Sequence, residues 1–266
     1  MTGRAHDVIV IGAGANGLVA AAAMARGGRK VLLLERGELL GGLGRLHEFA
    51  PGFRAPVAGT DQGWLPPSVA KGLGLSGLAR TSPEYALAVA SPAEALVVPC
   101  DSKGAWAALR GLSERDATRW PEFIGQLHRL AAFLGQVYQL PAPDIDTSSL
   151  GELFPLAGLA RKFRGMGRKD MIEFLRVMPM AVQEMADDWF ESDLLKAGIV
   201  AGGIQDIRQG PRSGGTAFVL LHHLIGAPAG GLRNRGGWQS GPDGFLVAAE
   251  RAARAAAALP GPARAA

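Results

Sequence analysis

The chain has 266 residues, enough for one large domain or two small ones and for a core that needs no covalent staples. With 48% hydrophobic and 20% charged residues it is not a disordered chain, and its single cysteine, Cys100, excludes a disulfide framework and paired-thiol chemistry within the chain. The net charge of +4 comes from dispersed bases and does not imply nucleic acid; the one tight cluster, Arg161, Lys162, Arg164, Arg168 and Lys169, reads as a solvated surface in preference to a phosphate or membrane contact.

From Val8 to Ala25 the chain is uncharged, which imitates a signal peptide or a short membrane helix. Asp7 borders that run, Asn16 interrupts it, and Gly12, Gly14 and Gly17 weaken it as a helix. It divides better into two elements. Asp7 to Ile11 is β-branched and suits a parallel strand buried on both faces, and Leu18 to Arg26 suits an Ala-rich helix that stops at Gly27-Gly28. No other segment approaches a membrane span, so the expectation is a protein without a transmembrane segment, located in the cytoplasm.

Between strand and helix lies Gly12-Ala13-Gly14-Ala15-Asn16-Gly17, a G-x-G-x-x-G motif. Gly12 permits a tight turn, Gly14 lets backbone approach a pyrophosphate, and Gly17 lets the helix pack close to the strand. The helix start offers free N–H groups and partial positive charge to phosphates. A second apolar run, Val31 to Leu34, ends in Glu35, 18 residues past Gly17. A carboxylate there accepts hydrogen bonds from a ribose 2′-hydroxyl and repels a 2′-phosphate, which favours the adenosine of FAD or NAD over that of NADP.

Glu35-Arg36-Gly37-Glu38-Leu39-Leu40-Gly41-Gly42 resembles the extended signature of the FAD-dependent oxidoreductase superfamily that contains amine oxidases and phytoene desaturases. The similarity is nearest to its phytoene-dehydrogenase-related group. The resemblance implies FAD as cofactor, with Gly41 and Gly42 bringing the chain against its pyrophosphate. Leu43 departs from the family pattern, and Arg45, two positions later, is either a phosphate contact or a plain surface arginine. The implied cofactor-binding set is Gly12, Ala13, Gly14, Ala15, Asn16, Gly17, Glu35, Arg36, Gly41, Gly42 and Arg45. Similar family segments follow at Glu48–Arg54, Ser113–Asp116, Trp120–Phe123, Ala186–Ser192 and Ser213–Phe218.

The middle of the chain reads as mainly helical from its own pattern. Trp120, Phe123, Ile124, Leu127, Leu130, Leu134 and Val137 recur every three or four residues and predict one long amphipathic helix. Ser113 is its candidate N-cap, with Asp116 standing in for the glutamate of a capping box, and Pro141-Ala142-Pro143 closes the element. Met171, Phe174, Leu175, Met178 and Met185 supply a second apolar surface, read as ordinary core over a lipophilic pocket. Cys100 and His222-His223 are read as structural, and no metal-ligand spacing occurs.

Phe245 to Ala258 predicts a further helix, after Gly241-Pro242-Asp243-Gly244. The tail beyond it lacks a β-branched run and contains Pro260 and Pro262, which argues against a central strand. The resulting expectation is an α/β protein: a Rossmann-like FAD-binding unit at 1–60, a largely helical substrate-domain insertion at 61–237, and a return helix with a divergent tail at 238–266, the sheet being incomplete at the C-terminus. The resemblance implies an oxidoreductase passing hydride from a small lipophilic or amine substrate to flavin, and it names no catalytic residue in this chain. The chain looks like an N-terminal half, so a complementary C-terminal half or a homo-oligomer is an expected partner. The alternative is a non-catalytic nucleotide-binding fragment or partner subunit; an NAD-dependent dehydrogenase is disfavoured by the Gly41-Gly42 extension.

Overall fold

The computed structural model describes residues 5–38, 40–42, 46–56, 64–73, 84–92, 94–142, 150–232 and 263–264. Two compact units divide the chain, one built from residues 1–81 with 237–266 and the other from residues 82–236.

In the first unit the β-branched run Val8–Ile11 forms strand β1, and the Ala-rich run Ala15–Arg26 forms helix α1. The helix starts three residues before the predicted Leu18. It ends where Gly28 takes a positive φ of 82° and closes the last turn. Val31–Glu35 forms β2, which pairs parallel with β1 from Val8↔Val31 to Ile11↔Leu34. Leu18, Ala21, Ala22 and Ala25 of α1 bury against Val31 and Leu33 of β2, with Val8 and Val10 packed beside them. Short alanine side chains let the helix lie close to the sheet, as a βαβ crossover requires.

One expectation needs correction here. The strand predicted to be buried on both faces is covered on one: Ile9 and Ile11, which alternate with Val8 and Val10, are 59% and 85% exposed. The tail, whose prolines argue against a central strand, supplies a two-residue strand, Ala263–Arg264 (β7), parallel to β2 at Leu34↔Ala263 and Glu35↔Arg264. It lies at the end of the sheet order β1-β2-β7, and an edge position of two residues is where nearby proline is tolerated. The segment Glu48–Arg54 lies in an antiparallel hairpin of β3 (Leu46–Ala50) and β4 (Phe53–Pro56), turning at Gly52. A short helix α2, Pro67–Leu73, completes the described part of this unit. The predicted helix at Phe245–Ala258 lies outside the described residues.

The second unit opens with a hairpin the sequence reading did not foresee, β5 (Tyr85–Ala90) antiparallel to β6 (Ala95–Pro99). Its helices are α3 (Ser102–Arg110), α4 (Glu114–Val137), α5 (Leu150–Gly165), α6 (Gly167–Val177), α7 (Val182–Trp189), α8 (Asp193–Gly203) and α9 (Thr216–Leu224). The long α4 is the predicted amphipathic helix; Trp120, Phe123, Leu127, Leu130 and Leu134 are buried along one stripe. Ser113 caps it, accepting from the Asp116 N–H at 3.2 Å.

Asp116, however, does not complete a capping box. Its carboxylate is fully buried and accepts from the Glu191 and Ser192 N–H groups at 2.9 and 2.8 Å, which ties α4 to the α7–α8 junction. The aspartate side chain is one methylene shorter than the glutamate a capping box uses. Phe123 sits edge-on to Phe190 (4.9 Å) and Trp189 (5.4 Å), and Trp120 tilts against Phe190. Of the second apolar surface, Phe174 and Met185 are buried but Leu175 faces outward.

Candidate functional site

At the head of the first unit, the turn from β1 to α1 is built from backbone rather than side chains. Gly12 has φ 96°, a conformation that any L side chain would strain, and its N–H still bonds the Leu34 carbonyl at 2.7 Å, extending the parallel pairing. A Cβ on Gly17 would collide with the Gly12 carbonyl oxygen, so this glycine sets how closely α1 approaches the strand end. Gly14 differs. It has an ordinary φ of −70°, and a Cβ placed on it meets nothing within 4 Å. The space in front of Gly14 is free of the other described residues, and the helix that begins after it has no side-chain cap and no acid in its first turn. Such a helix end attracts an anion.

The chain then returns to this turn. Gly41 pairs in parallel with Gly14 and donates its N–H to the Ala13 carbonyl at 2.7 Å. Gly42, at φ 56°, brings its position within 3.1 Å of the Gly14 Cα as measured from a Cβ placed there. Gly41 and Gly42 are therefore seated on the Ala13-Gly14 backbone.

Glu35, at the end of β2, closes the arrangement. Its Oε2 accepts from the Ala13 N–H and its Oε1 from the Gly37 N–H, each at 2.7 Å. The Gly37 bond first, then the Ala13 bond, hold its carboxyl below the usual carboxylate range, with a smaller contribution from Arg36. Each carboxylate oxygen has room for a second hydrogen bond, so a ribose hydroxyl can still be accepted. Sequence spacing located Glu35 but not its bond to the loop.

The structure thus brings Gly12, Ala13, Gly14, Gly17, Glu35, Gly41 and Gly42 together. Ala15, in the first turn of α1, is part-buried, and Asn16 beside it and Arg36 are exposed. Arg45 lies outside the described residues.

The second unit holds an apolar groove of about 690 Å³ between β5 and α8, lined by Leu87, Val89, Ala197, Gly198, Ala201 and Leu220 among others. Sequence reading missed it because its walls lie more than a hundred residues apart and carry mostly alanine and glycine. Cys100 lines another cavity with Asp101 and His128; burial, and then the Asp101 charge, push its thiol up. His222 meets the Tyr138 hydroxyl at 3.0 Å, and His223 is buried against the Gln205 carbonyl. Among the described residues no group of acids, histidines and cysteines could hold a metal ion, and no helix is long and apolar enough to cross a membrane.

Residues 10–60 match the family model of an NAD(P)-binding Rossmann-like domain. Over 85% of its length the chain is 27% identical to pyridine nucleotide-disulfide oxidoreductase domain-containing protein 2 of Rattus norvegicus, covering 42% of that protein. Over 51% of its length it is 37% identical to a limonene dehydrogenase component of Castellaniella defragrans, covering 25% of it. Among solved structures, cyclohexylamine oxidase from Brevibacterium oxydans IH-35A superposes with a TM-score of 0.51 at 19% identity, over 95% of this chain and 49% of that one. The glycine turn, the bracing glutamate and these likenesses agree: the chain carries a Rossmann-like nucleotide-binding unit, is homologous to pyridine nucleotide-disulfide oxidoreductase domain-containing protein 2, and spans less than half the length of the rat and mouse forms of that relative.

Proposed function

We propose that this chain is the FAD-binding portion of a flavin-dependent oxidoreductase that takes hydride from a C–C or C–N bond of a small lipophilic or amine substrate. The observation that carries the reading is the free space at Gly14, in front of an uncapped helix start and beside Glu35. Gly14 and the N-terminal turn of α1 would hold the pyrophosphate and Glu35 the adenosine ribose, while Ala13, bonded to Glu35 and Gly41, and Gly41-Gly42 would hold the loop in shape. Ala15, Asn16 and Arg36 border this set, and Arg45 belongs to it by resemblance alone. Bound FAD would supply the hydride acceptor, so the chemistry asks binding, orientation and dryness of the protein rather than a general base. The apolar groove between β5 and α8 is suited to a lipophilic substrate body, in keeping with the limonene dehydrogenase component among the similar proteins. A cytoplasmic location goes with this reading.

A second reading, a nucleotide-binding partner subunit that is not catalytic by itself, is favoured by one observation: the chain spans 42% and 46% of the rat and mouse relatives. A complementary half, joined or separate, would then complete the enzyme.

Gly14→Ala is the direct test. The added methyl meets no atom of the described residues within 4 Å, so the unfolding free energy should stay within about 0.5 kcal/mol of wild type. FAD binding, measured by equilibrium dialysis and flavin absorbance, should fall at least about tenfold because the methyl occupies the pyrophosphate's approach. Unchanged FAD binding would remove the loop from the site. A wild-type protein that binds NADH and not FAD would replace the flavin reading with a nicotinamide one.

A further inference from the structure

On α5 and α6 of the helical unit four large apolar side chains lie outside the core. Leu153 and Phe154 on α5 are 41% and 73% exposed, and Ile172 and Leu175 on α6 are 54% and 61% exposed. The two helices lie side by side on α4. Phe163 of α5 and Phe174 of α6 both pack on Phe133 of α4, at ring-centroid distances of 5.2 and 5.0 Å, and Arg129 of α4 holds Asp170 of α6 at 2.6 Å. At about 100° per residue, Leu153, Phe154, Arg161 and Arg164 share an arc of about 100° on α5, turned away from Phe163. Arg168, Ile172 and Leu175 likewise share an arc of about 60° on α6, opposite Phe174 and Asp170. The outward surface of the pair therefore mixes exposed apolar groups with arginines.

Those arginines differ from their neighbours in charge balance. Lys169 pairs with Glu122, and Arg176 with Glu173 and Asp188. Arg161, Arg164 and Arg168 have no ion-pair partner among the described residues. The two acids described on α6, Asp170 and Glu173, are already held by Arg129 and Arg176. A purely apolar patch would suit the core of a protein interface, but burying three unpaired guanidinium groups there is costly. A surface rich in phosphate or carboxylate headgroups above acyl chains satisfies both kinds of side chain. Arginine stems lie along apolar surface while their heads stay at headgroup level.

We propose that the outward surface of α5 and α6 docks the protein onto an anionic lipid bilayer. Phe154, Leu153, Ile172 and Leu175 enter the headgroup–acyl boundary, and Arg161, Arg164 and Arg168 engage the anionic headgroups. This is a helix pair lying on the membrane and not crossing it, in keeping with the lack of a spanning helix among the described residues. It replaces the solvated-surface reading of the basic cluster, and it does not depend on which nucleotide the first unit binds.

Sedimentation of the full chain with lipid vesicles tests this without any cofactor. Vesicles of phosphatidylcholine containing phosphatidylserine should bind the protein at least about tenfold more tightly than phosphatidylcholine alone, given the contribution of each base near an anionic surface. Raising the salt should weaken that binding. The triple variant Arg161→Glu, Arg164→Glu, Arg168→Glu should lose the preference for anionic vesicles. The double variant Phe154→Ser, Leu175→Ser should lose binding to both. All the positions are exposed, so unfolding midpoints should match wild type, and the salt dependence of the wild type stands as a readout even if a variant fails to fold. Equal binding to the two vesicle types, or none, overturns the proposal. So does a concentration-dependent dimer by light scattering that Phe154→Ser, Leu175→Ser dissociates while vesicle binding is absent, which assigns the surface to a second copy of the chain.

Discussion

The two units of this chain are held by different means. The first has its critical contacts between backbone atoms: Gly17 against the Gly12 carbonyl, Gly42 against Gly14, Gly41 bonded to Ala13. The second is held by large side chains, with Phe123 touching Trp120, Trp189 and Phe190, and by the buried carboxylate of Asp116 on two N–H groups. A binding turn needs room for a ligand at the backbone, so side chains are absent where contact matters most. A helical body has no such demand and fills its interior with rings. Substitutions at the glycine turn and in the aromatic group should therefore act in opposite senses: enlarging a turn glycine such as Gly17 damages the first unit, and truncating a ring such as Phe123 damages the second.

The largest effect is expected at Phe123, which is 1% exposed at the centre of the aromatic group. Phe123→Ala should lower the unfolding free energy by about 3–5 kcal/mol in denaturant titration, from lost burial and the cavity left behind. A loss below about 1 kcal/mol would mean the rings are not the support of this unit.

Next comes Gly17→Ala, which forces a methyl onto the Gly12 carbonyl oxygen and should cost about 1–3 kcal/mol as α1 is pushed from the strand. Gly158→Ala on α5, where a Cβ meets nothing within 4 Å, should instead stabilise by about 0.4–1 kcal/mol. Similar values for the two would erase the distinction between the units.

The smallest effect concerns pH. Because the N–H groups of Gly37 and Ala13 hold the Glu35 carboxyl below its ordinary range, its ionised form favours the folded chain. That stabilisation is complete above the unfolded-state value of about 4.3 and is lost as pH falls through the lower folded-state value. Wild type should therefore exceed Glu35→Gln in unfolding midpoint at neutral pH, with the gap closing under acid. A gap that does not change with pH would show that the carboxylate's charge contributes nothing to the loop.

Legibility from sequence followed the range of the interactions. Strand, glycine turn, helix and Glu35 were readable because each depends on neighbours in one continuous stretch, and the Ser113 cap was readable for the same reason. The β5–β6 hairpin was not: Tyr85–Ala90 alternates mostly small residues, so its period of two carries little hydrophobic contrast. Asp116 was misassigned because its partners, Glu191 and Ser192, lie some 75 residues further on, where no local pattern points. The exposure of Ile9 and Ile11 likewise depends on what the rest of the chain places against the sheet, which a β-branched run does not encode. The basic cluster was visible as charge, but its apolar company came into view only once α5 and α6 were set side by side on α4.

The bond from the Ala13 N–H to the Glu35 carboxylate has a thermodynamic consequence. With Gly41 bonded to the Ala13 carbonyl as well, both polar groups of that peptide position are engaged before any ligand arrives. A turn already fixed has little configurational freedom left to surrender, so nucleotide capture should carry a small ordering cost. Calorimetric titration of the wild type and Glu35→Gln tests this: losing the brace should appear as a more unfavourable binding entropy, alongside the enthalpy lost with the ribose contact.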